Sequence, residues 1–362
     1  MPRPLLASID LDALRHNLAV ARKHAGSREV WAVVKANAYG HGLKRALRGF
    51  ADAGGLALLD LDEAARARDG GWSKPILLLE GFFSPADLQV ADELRLTAVV
   101  HHPAQVEMLQ RRSSRRPLDV YVKVNTGMNR LGFTPDRTPD IVEQIAALPA
   151  VRIAALMMHF ANADRDDAVA GPVAVAEQLR VFEVACRGWT GARCVANSAA
   201  LLMHPKVGGS AVRPGIALYG ATPAAGRPAA SFGLKPAMSL TASVLSVQRL
   251  VAGESIGYGS RWTAARPSRV GVLACGYADG YPRVAPDGTP VWAGGQRVPL
   301  VGRVSMDMIT VDLTDAPAVD VGAEAELWGR HVPVDEVAER SGTVGYELLC
   351  ALAARVPVRE IG

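Results

Sequence analysis

The 362-residue chain is poor in aromatic residues, at 6%, and holds only four cysteines. Cys186, Cys194, Cys275 and Cys350 stand far apart with no Cys-x-x-Cys pair, which argues against a zinc ribbon, a dithiol redox motif or a disulfide framework. No run of 18 apolar residues occurs, so no segment reads as a membrane-spanning helix. The N-terminus reaches Asp10 before any signal-like apolar core forms. A Gly-x-Gly-x-x-Gly fingerprint, a Walker phosphate loop and a His-Glu-x-x-His zinc motif are also missing; Gly40-His41-Gly42 comes nearest and lacks the third glycine. Charge of one sign is scarce too. The net charge is +4, the basic residues are dispersed, and the one dense patch, at 111–116, reads as a decorated helix end rather than a grip on nucleic acid. These absences leave a soluble, cytoplasmic, enzymatic chain as the expectation, with neither nucleic-acid nor membrane partners.

What is present has a clear order. Through the first 220 residues, short apolar runs alternate with stretches of helical apolar spacing. The runs lie at 30–34, 56–59, 76–79, 97–100, 118–124, 152–158, 194–196 and 216–219, and the helical stretches at 11–25, 62–69, 84–94, 103–110, 140–148 and 172–187. Parallel strands covered on both faces read as continuous apolar runs, so eight of them joined by helices predict a (β/α)8 barrel. A doubly wound open sheet is the alternative, disfavoured by the strand number and the missing dinucleotide fingerprint. Beyond a small-residue linker at 221–228 the texture changes to runs at 238–250, 269–274, 289–293, 297–301, 308–313 and 325–328, punctuated by turn residues. That pattern predicts an antiparallel β domain. The expected division is 8–222 for the barrel and 223–362, with an extreme N-terminal strand at 1–7, for the mainly β domain.

Functional side chains of such a barrel project from the C-terminal ends of its strands. That rule selects Lys35, Lys123, His159, Ser198 and the segment 213–215. A lysine after a strand ordinarily snorkels to solvent. At a barrel mouth with apolar residues behind it, the same amine is partly desolvated, its pKa falls, and it becomes able to form Schiff bases with carbonyl compounds such as pyridoxal phosphate.

The surrounding motifs extend this reading. Lys35 opens Lys35-Ala-Asn-Ala-Tyr39-Gly-His-Gly42, which resembles the pyridoxal phosphate lysine motif of the alanine racemase family. The resemblance continues at Lys123-Val-Asn-Thr-Gly-Met-Asn-Arg130-Leu-Gly, Met158-His159-Phe160, Ala196-Asn197-Ser198 and Val212-Arg213-Pro214-Gly215-Ile216. It goes on at Gly257-Tyr258-Gly259, Gly276-Tyr277-Ala278-Asp279-Gly280, Ser305-Met306-Asp307 and Gly345-Tyr346-Glu347, so that nine motifs in order span nearly the whole chain.

The resemblance implies roles. Lys35 would carry pyridoxal 5'-phosphate as a Schiff base and act as one acid/base. Racemisation returns a proton to the face opposite the one it left, so a second base must stand across the substrate Cα; the resemblance assigns it to Tyr258 of the partner subunit. A phenol of ordinary pKa, near 10, is a poor base at neutral pH, so that role asks for cations or hydrogen bonds around the phenolate. Arg213 would face the pyridine nitrogen. A guanidinium only donates, which keeps that nitrogen unprotonated, weakens the electron sink and favours reprotonation at Cα over transamination. Tyr39, Asn197, Ser198, Gly215, Ile216 and Tyr346 would hold the rest of the cofactor, chiefly its phosphate, with Ser198 either offering helix-start amides to the anion or serving as a plain N-cap. His159 would stack on the ring, while Arg130 and the backbone of Met306 would hold substrate carboxylate and cofactor oxygen. Lys123 matches a lysine that is carbamylated in the family, and Asp164, Tyr277, Arg283 and Arg303 match residues of its access corridor. Cys194 stands where some members place a histidine beside the catalytic tyrosine, which leaves Arg213 as the candidate for tuning Tyr258.

The expected function is therefore interconversion of L- and D-alanine by a homodimer with shared active sites, for peptidoglycan supply or alanine catabolism. Three other readings compete. One is a racemase of the same fold with broader amino-acid specificity, disfavoured by Tyr346 and Tyr277 at the mouth. Another is a non-catalytic cofactor-carrying barrel, which would not need the β domain. The last is a metal-dependent hydrolase drawing on His41, His101, His102 and His159, which would leave Lys35 unexplained.

Overall fold

The structure, a computed structural model, describes residues 3–114, 116–165, 171 and 173–362. The parts of the expected 111–116 patch, 172–187 helix and 1–7 strand that fall on residues 115, 172, 1 and 2 lie outside the described residues.

Apolar runs without a polar face can satisfy their backbone only between two like neighbours, with helices over the outside. The segments Glu29–Val33, Gly55–Leu58, Ile76–Leu78, Thr97–Val100, Leu118–Lys123, Val151–Met157, Ala192–Asn197 and Ala211–Arg213 do this as a closed, all-parallel eight-stranded barrel. Closure is made by Glu29 and Val30 pairing with Ala211 and Val212. The final strand corrects the sequence reading. The run at 216–219 is not a strand but the buried 3-10 turn Ile216–Tyr219, and the eighth strand is the three-residue segment before it. Pro214 has no N–H with which to extend a ladder, and Gly215 turns the chain inward directly after it.

Local chemistry starts the connecting helices. Asp10 caps Leu11–Ala25 through the Ala13 N–H at 2.9 Å, and Ser84 with Asp87 forms a capping box on Pro85–Glu93. His102 caps Pro103–Gln110, so proline occupies the first helical position of both latter helices.

The second sheet places the strand Leu5–Asp10 between Met238–Leu250, antiparallel to it, and the C-terminal Val358–Ile361, parallel to it. It is thus a mixed sheet, and both ends of the described chain are stitched into it. Its loops are tied by Asp279, whose fully buried carboxylate accepts from Arg355 Nε at 2.8 Å, Arg3 Nη1 at 3.1 Å and the Gly276 N–H at 2.9 Å. Beside that knot the Tyr277 and Ala278 N–H groups donate to the Ser305 and Met306 carbonyls, each at 3.0 Å, which fixes the Tyr277 and Met306 loops to one another. Two short helices, Val334–Arg340 and Gly345–Cys350, return to the barrel mouth. They pack so closely that a Cβ on Gly40 would lie 2.0 Å from the Leu349 carbonyl oxygen.

Candidate active site

Immediately after its strand and Lys35, the chain makes a left-handed turn. Ala36, Asn37, Ala38 and Tyr39 all have φ between 51° and 56°, a conformation that costs about 1–2 kcal/mol for each residue with a Cβ. Such strain persists only where the surroundings impose it. Here the Asn37 N–H donates to Glu63 Oε1 at 2.6 Å, Asn37 Oδ1 accepts from the Leu43 N–H at 3.0 Å, and His41 Nδ1, when protonated, donates to the Tyr39 carbonyl at 2.9 Å. The turn brings Lys35 and Tyr39 to one cavity of about 370 Å³. Glu63→Leu leaves the Asn37 N–H without its acceptor and is expected to cost about 1–3 kcal/mol, whereas Glu63→Gln keeps an acceptor and stays near wild type. Thermal unfolding checks this, and equal melting temperatures for the two variants would remove the role.

Strand ends from around the barrel converge on the same cavity. Lys35, Tyr39, Lys123, Arg130, His159, Asn197, Ser198, Arg213, Gly215, Ile216 and Tyr346 all line it, as the strand-end rule and the motifs expected. Burial lowers the Lys35 amine pKa, the Arg130 charge lowers it further, and Glu80 opposes the shift. Lys123 is pushed down to about 8 by burial and by Arg213 and Arg130, so its free-amine fraction at neutral pH, though minor, far exceeds that of an ordinary lysine. His159 is held well below its ordinary value, first by burial and then by Arg213, Lys123, Arg130 and Lys35, and is therefore a neutral ring at pH 7.

Arg213 is almost fully buried and immobilised. Its Nη1 donates to the Cys194 carbonyl at 2.7 Å and reaches Cys194 Sγ at 2.9 Å, while Nη2 donates to the Met158 carbonyl at 2.7 Å. Nε and one Nη2 hydrogen have no acceptor among the described residues. Cys194, at the position where a histidine was a possibility, is thus a neighbour of Arg213.

Ser198 is not the plain N-cap that one of its two sequence readings made it. The N-cap of Ser198–Met203 is Asn197, whose Oδ1 accepts from the Ala200 N–H at 2.9 Å. The Ser198 hydroxyl instead accepts from the Gly215 N–H at 2.8 Å and the Ala217 N–H at 3.4 Å, joining the last two barrel loops. A Cβ on Gly215 would fall 2.5 Å from Tyr39 Oη, so only glycine admits that phenol. Tyr39 stacks on Tyr219 at 4.7 Å, and Tyr219 donates to the Val33 carbonyl at 2.9 Å.

The remaining expected residues lie elsewhere. Asp164 lines an adjoining cavity of about 520 Å³ that shares His159, Asn197 and Tyr346 with the first. Tyr258, Met306 and Tyr277 are exposed on the β domain, at 71%, 53% and 38%. Arg283 lies 6.0 Å from the centre of the Tyr277 ring, and Arg303 lies against the Tyr258 turn, 3.5 Å from where a Gly259 Cβ would be. None of these six lines the Lys35 cavity. Arg213 makes no hydrogen bond to Tyr258 of its own chain.

Three of the four histidines of the metal reading, His41, His101 and His102, bond to the backbone. His101 Nε2 bonds to the Glu80 carbonyl at 3.0 Å, and His102 Nδ1 accepts from the Ala104 N–H at 3.2 Å. Among the described residues no group of three or more His, Cys, Asp and Glu is placed to hold a metal ion, and no helix is long and apolar enough to cross a membrane. Glu80, Glu63 and Tyr219 are cavity or support residues that the sequence reading passed over. Glu80 follows the apolar run at 76–79 and was open to the same strand-end rule; Glu63 and Tyr219 carry no local signal.

Residues 9–223 match the alanine racemase N-terminal domain and residues 237–360 the alanine racemase C-terminal domain. The chain belongs to the alanine racemase family. Alanine racemase of Janthinobacterium sp. (strain Marseille) is 53% identical to it over 361 residues, covering 100% of each chain. The biosynthetic alanine racemase of Pseudomonas aeruginosa superposes with a TM-score of 0.95 at 47% identity, covering 99% of this chain and 100% of the other. Alanine racemase of Bartonella henselae, solved with covalently bound pyridoxal phosphate, superposes at 0.88 with 29% identity, covering 99% of this chain and 100% of the other. Sharing with alanine racemases both a barrel and a trailing β domain, the chain has the full architecture of the family rather than the barrel alone.

Proposed function

We propose that this family member interconverts L- and D-alanine as a homodimer, with pyridoxal 5'-phosphate in the Lys35 cavity. The observation that carries the reading is the convergence in one cavity of a desolvated lysine, an immobilised arginine and the Ser198–Gly215 junction. The residues fit the cofactor: Lys35 supplies the amine, Arg213 two uncommitted N–H donors, and Tyr39, Ser198, Ile216 and Tyr346 polar groups around a glycine that permits close approach. The cofactor, when bound, supplies the electron sink that makes the substrate Cα–H acidic.

The chain's own groups do the rest. Arg213 cannot give up a proton, so a ring nitrogen held against it would remain an acceptor and would favour keeping negative charge near Cα. Lys35 Nζ removes or returns the Cα proton on one face. Tyr258 of the partner subunit serves the other face. A second copy is the natural cover for the exposed Tyr258, Tyr277 and Met306, the last two on loops that the Asp279 knot ties together. Arg130, at the cavity mouth, takes the substrate carboxylate in the planar contact that guanidinium favours. Lys123, whose lowered pKa raises the share of free amine above that of an ordinary lysine, is chemically suited to carbamylation, and the resulting anion would orient Arg130. Either D-alanine supply for peptidoglycan or alanine catabolism would use this reaction.

The test is the visible spectrum of the purified protein before and after L-alanine, with D-alanine assayed in the mixture. The expectation is a yellow protein that borohydride bleaches and that forms D-alanine. A colourless protein that forms none, or one that racemises other amino acids faster than alanine, would overturn the reading.

A further inference from the structure

Among the described residues lining the Lys35 cavity only one carboxylate is found, that of Glu80, and it stands among Lys35, Lys123, Arg130 and Arg213. Its main chain is pinned in place. The Glu80 carbonyl accepts from His101 Nε2 at 3.0 Å and from Gln105 Nε2 at 3.1 Å. Gly81 follows with φ +72°, where a Cβ would lie 2.1 Å from the Val99 carbonyl oxygen, so no other residue allows this turn. The carboxylate itself is half-buried and makes no hydrogen bond or ion pair with a described residue. A partly desolvated, unpartnered anion in a cationic cavity is a group prepared for a ligand.

We propose that Glu80 receives the ammonium group of the incoming amino acid, so that Arg130 and Glu80 together read the zwitterion. This deepens the racemase reading and rests on it. The substrate amine has to arrive beside Lys35 Nζ in order to take its place, and the field of Glu80 reaches that nitrogen, where it opposes the effect of burial. Without Glu80, the Arg130 guanidinium would attract any small carboxylate, and no carboxylate side chain among the described lining residues would favour an ammonium group. With it, a carboxylate lacking the amine gains only half of the recognition and meets a like charge.

The experiment compares Glu80→Gln and Glu80→Asp with the unmutated, cofactor-loaded protein. Its probes are L-alanine, D-alanine and propionate, the last being alanine without its amine. KM for both enantiomers is expected to rise about tenfold in Glu80→Gln, the scale of one charge-assisted contact, with kcat little changed. Glu80→Asp, which keeps the charge, should recover part of the loss. Propionate, measured as a competitor and through its perturbation of the visible spectrum, should bind as tightly as before or more tightly. An unchanged KM for alanine would overturn the proposal. So would a parallel weakening of propionate, which would mean that Glu80 acts by orienting Arg130. Spectroscopic titration with L-alanine keeps the two readings apart. If the unmutated protein bound L-alanine but formed no D-alanine, the racemase reading would fall, while weaker binding by Glu80→Gln would still support this role.

Discussion

Mixing Lys35→Ala chains with Tyr258→Phe chains should recover about a quarter of wild-type racemisation, although each variant alone is nearly inactive. Lys35→Ala removes the amine of the cavity, and with it the borohydride-reducible colour. Tyr258→Phe removes the second proton carrier, with a loss of about 10²–10⁴-fold, the usual range for a positioned acid or base. It leaves the colour, because Tyr258 lies outside the cavity of its own chain. If each site takes its lysine from one copy and its tyrosine from the other, a mixed dimer holds one intact site and one doubly impaired site. Random reassociation makes about half of all dimers mixed, and half of their sites intact. Mixtures that stay as inactive as their components would mean that each copy completes its own site. Intact racemisation by Tyr258→Phe alone would remove the second base altogether.

Arg213→Glu should lower racemisation by at least about 100-fold and make pyruvate appear during incubation with alanine. If Arg213 holds the cofactor's ring nitrogen as proposed, a carboxylate at this position would favour its protonation, draw negative charge away from Cα and let the proton return elsewhere. The substitution also strips the Cys194 and Met158 carbonyls of their donor, at a cost of about 1–3 kcal/mol for each buried group left unpaired. Arg213→Lys separates the two effects: it keeps the positive charge and loses the fork that spans both carbonyls, so it should lower stability without producing pyruvate. Chiral analysis and a pyruvate assay on the same samples decide the matter, and racemisation without pyruvate in Arg213→Glu would contradict the role given to Arg213.

Much of the site was legible because a barrel converts strand ends into neighbours. Lys35, Lys123, His159, Ser198 and Arg213 are distant in sequence, yet one rule about where strands stop was enough to group them. The same rule, applied to the run at 76–79, leads to Glu80. The misread run at 216–219 shows the limit of the pattern: a 3-10 turn buried all round is as continuously apolar as a buried strand, and periodicity does not separate them. Ser198 was ambiguous for a related reason. A serine at a helix start reads as a cap, but Asn197 one residue earlier takes that place, which frees the hydroxyl for a loop of another strand.

The sequence by itself determined the barrel, the change to a β domain after the linker and the set of strand-end side chains, since these follow from which residues must leave water and with what period. Tertiary structure alone decided the rest. The left-handed turn after Lys35 exists because Glu63, on a separate helix, supplies the acceptor that offsets its strain. Lys123 has its pKa lowered to about 8 by burial, by Arg213 from another strand end and by Arg130 from the loop after its own strand. Glu80 makes no hydrogen bond with a described residue in a cavity where Arg213 is committed to the Cys194 and Met158 carbonyls. Strain relief, desolvation and charge crowding depend on groups far apart in the chain, and no local pattern of residues encodes a distance.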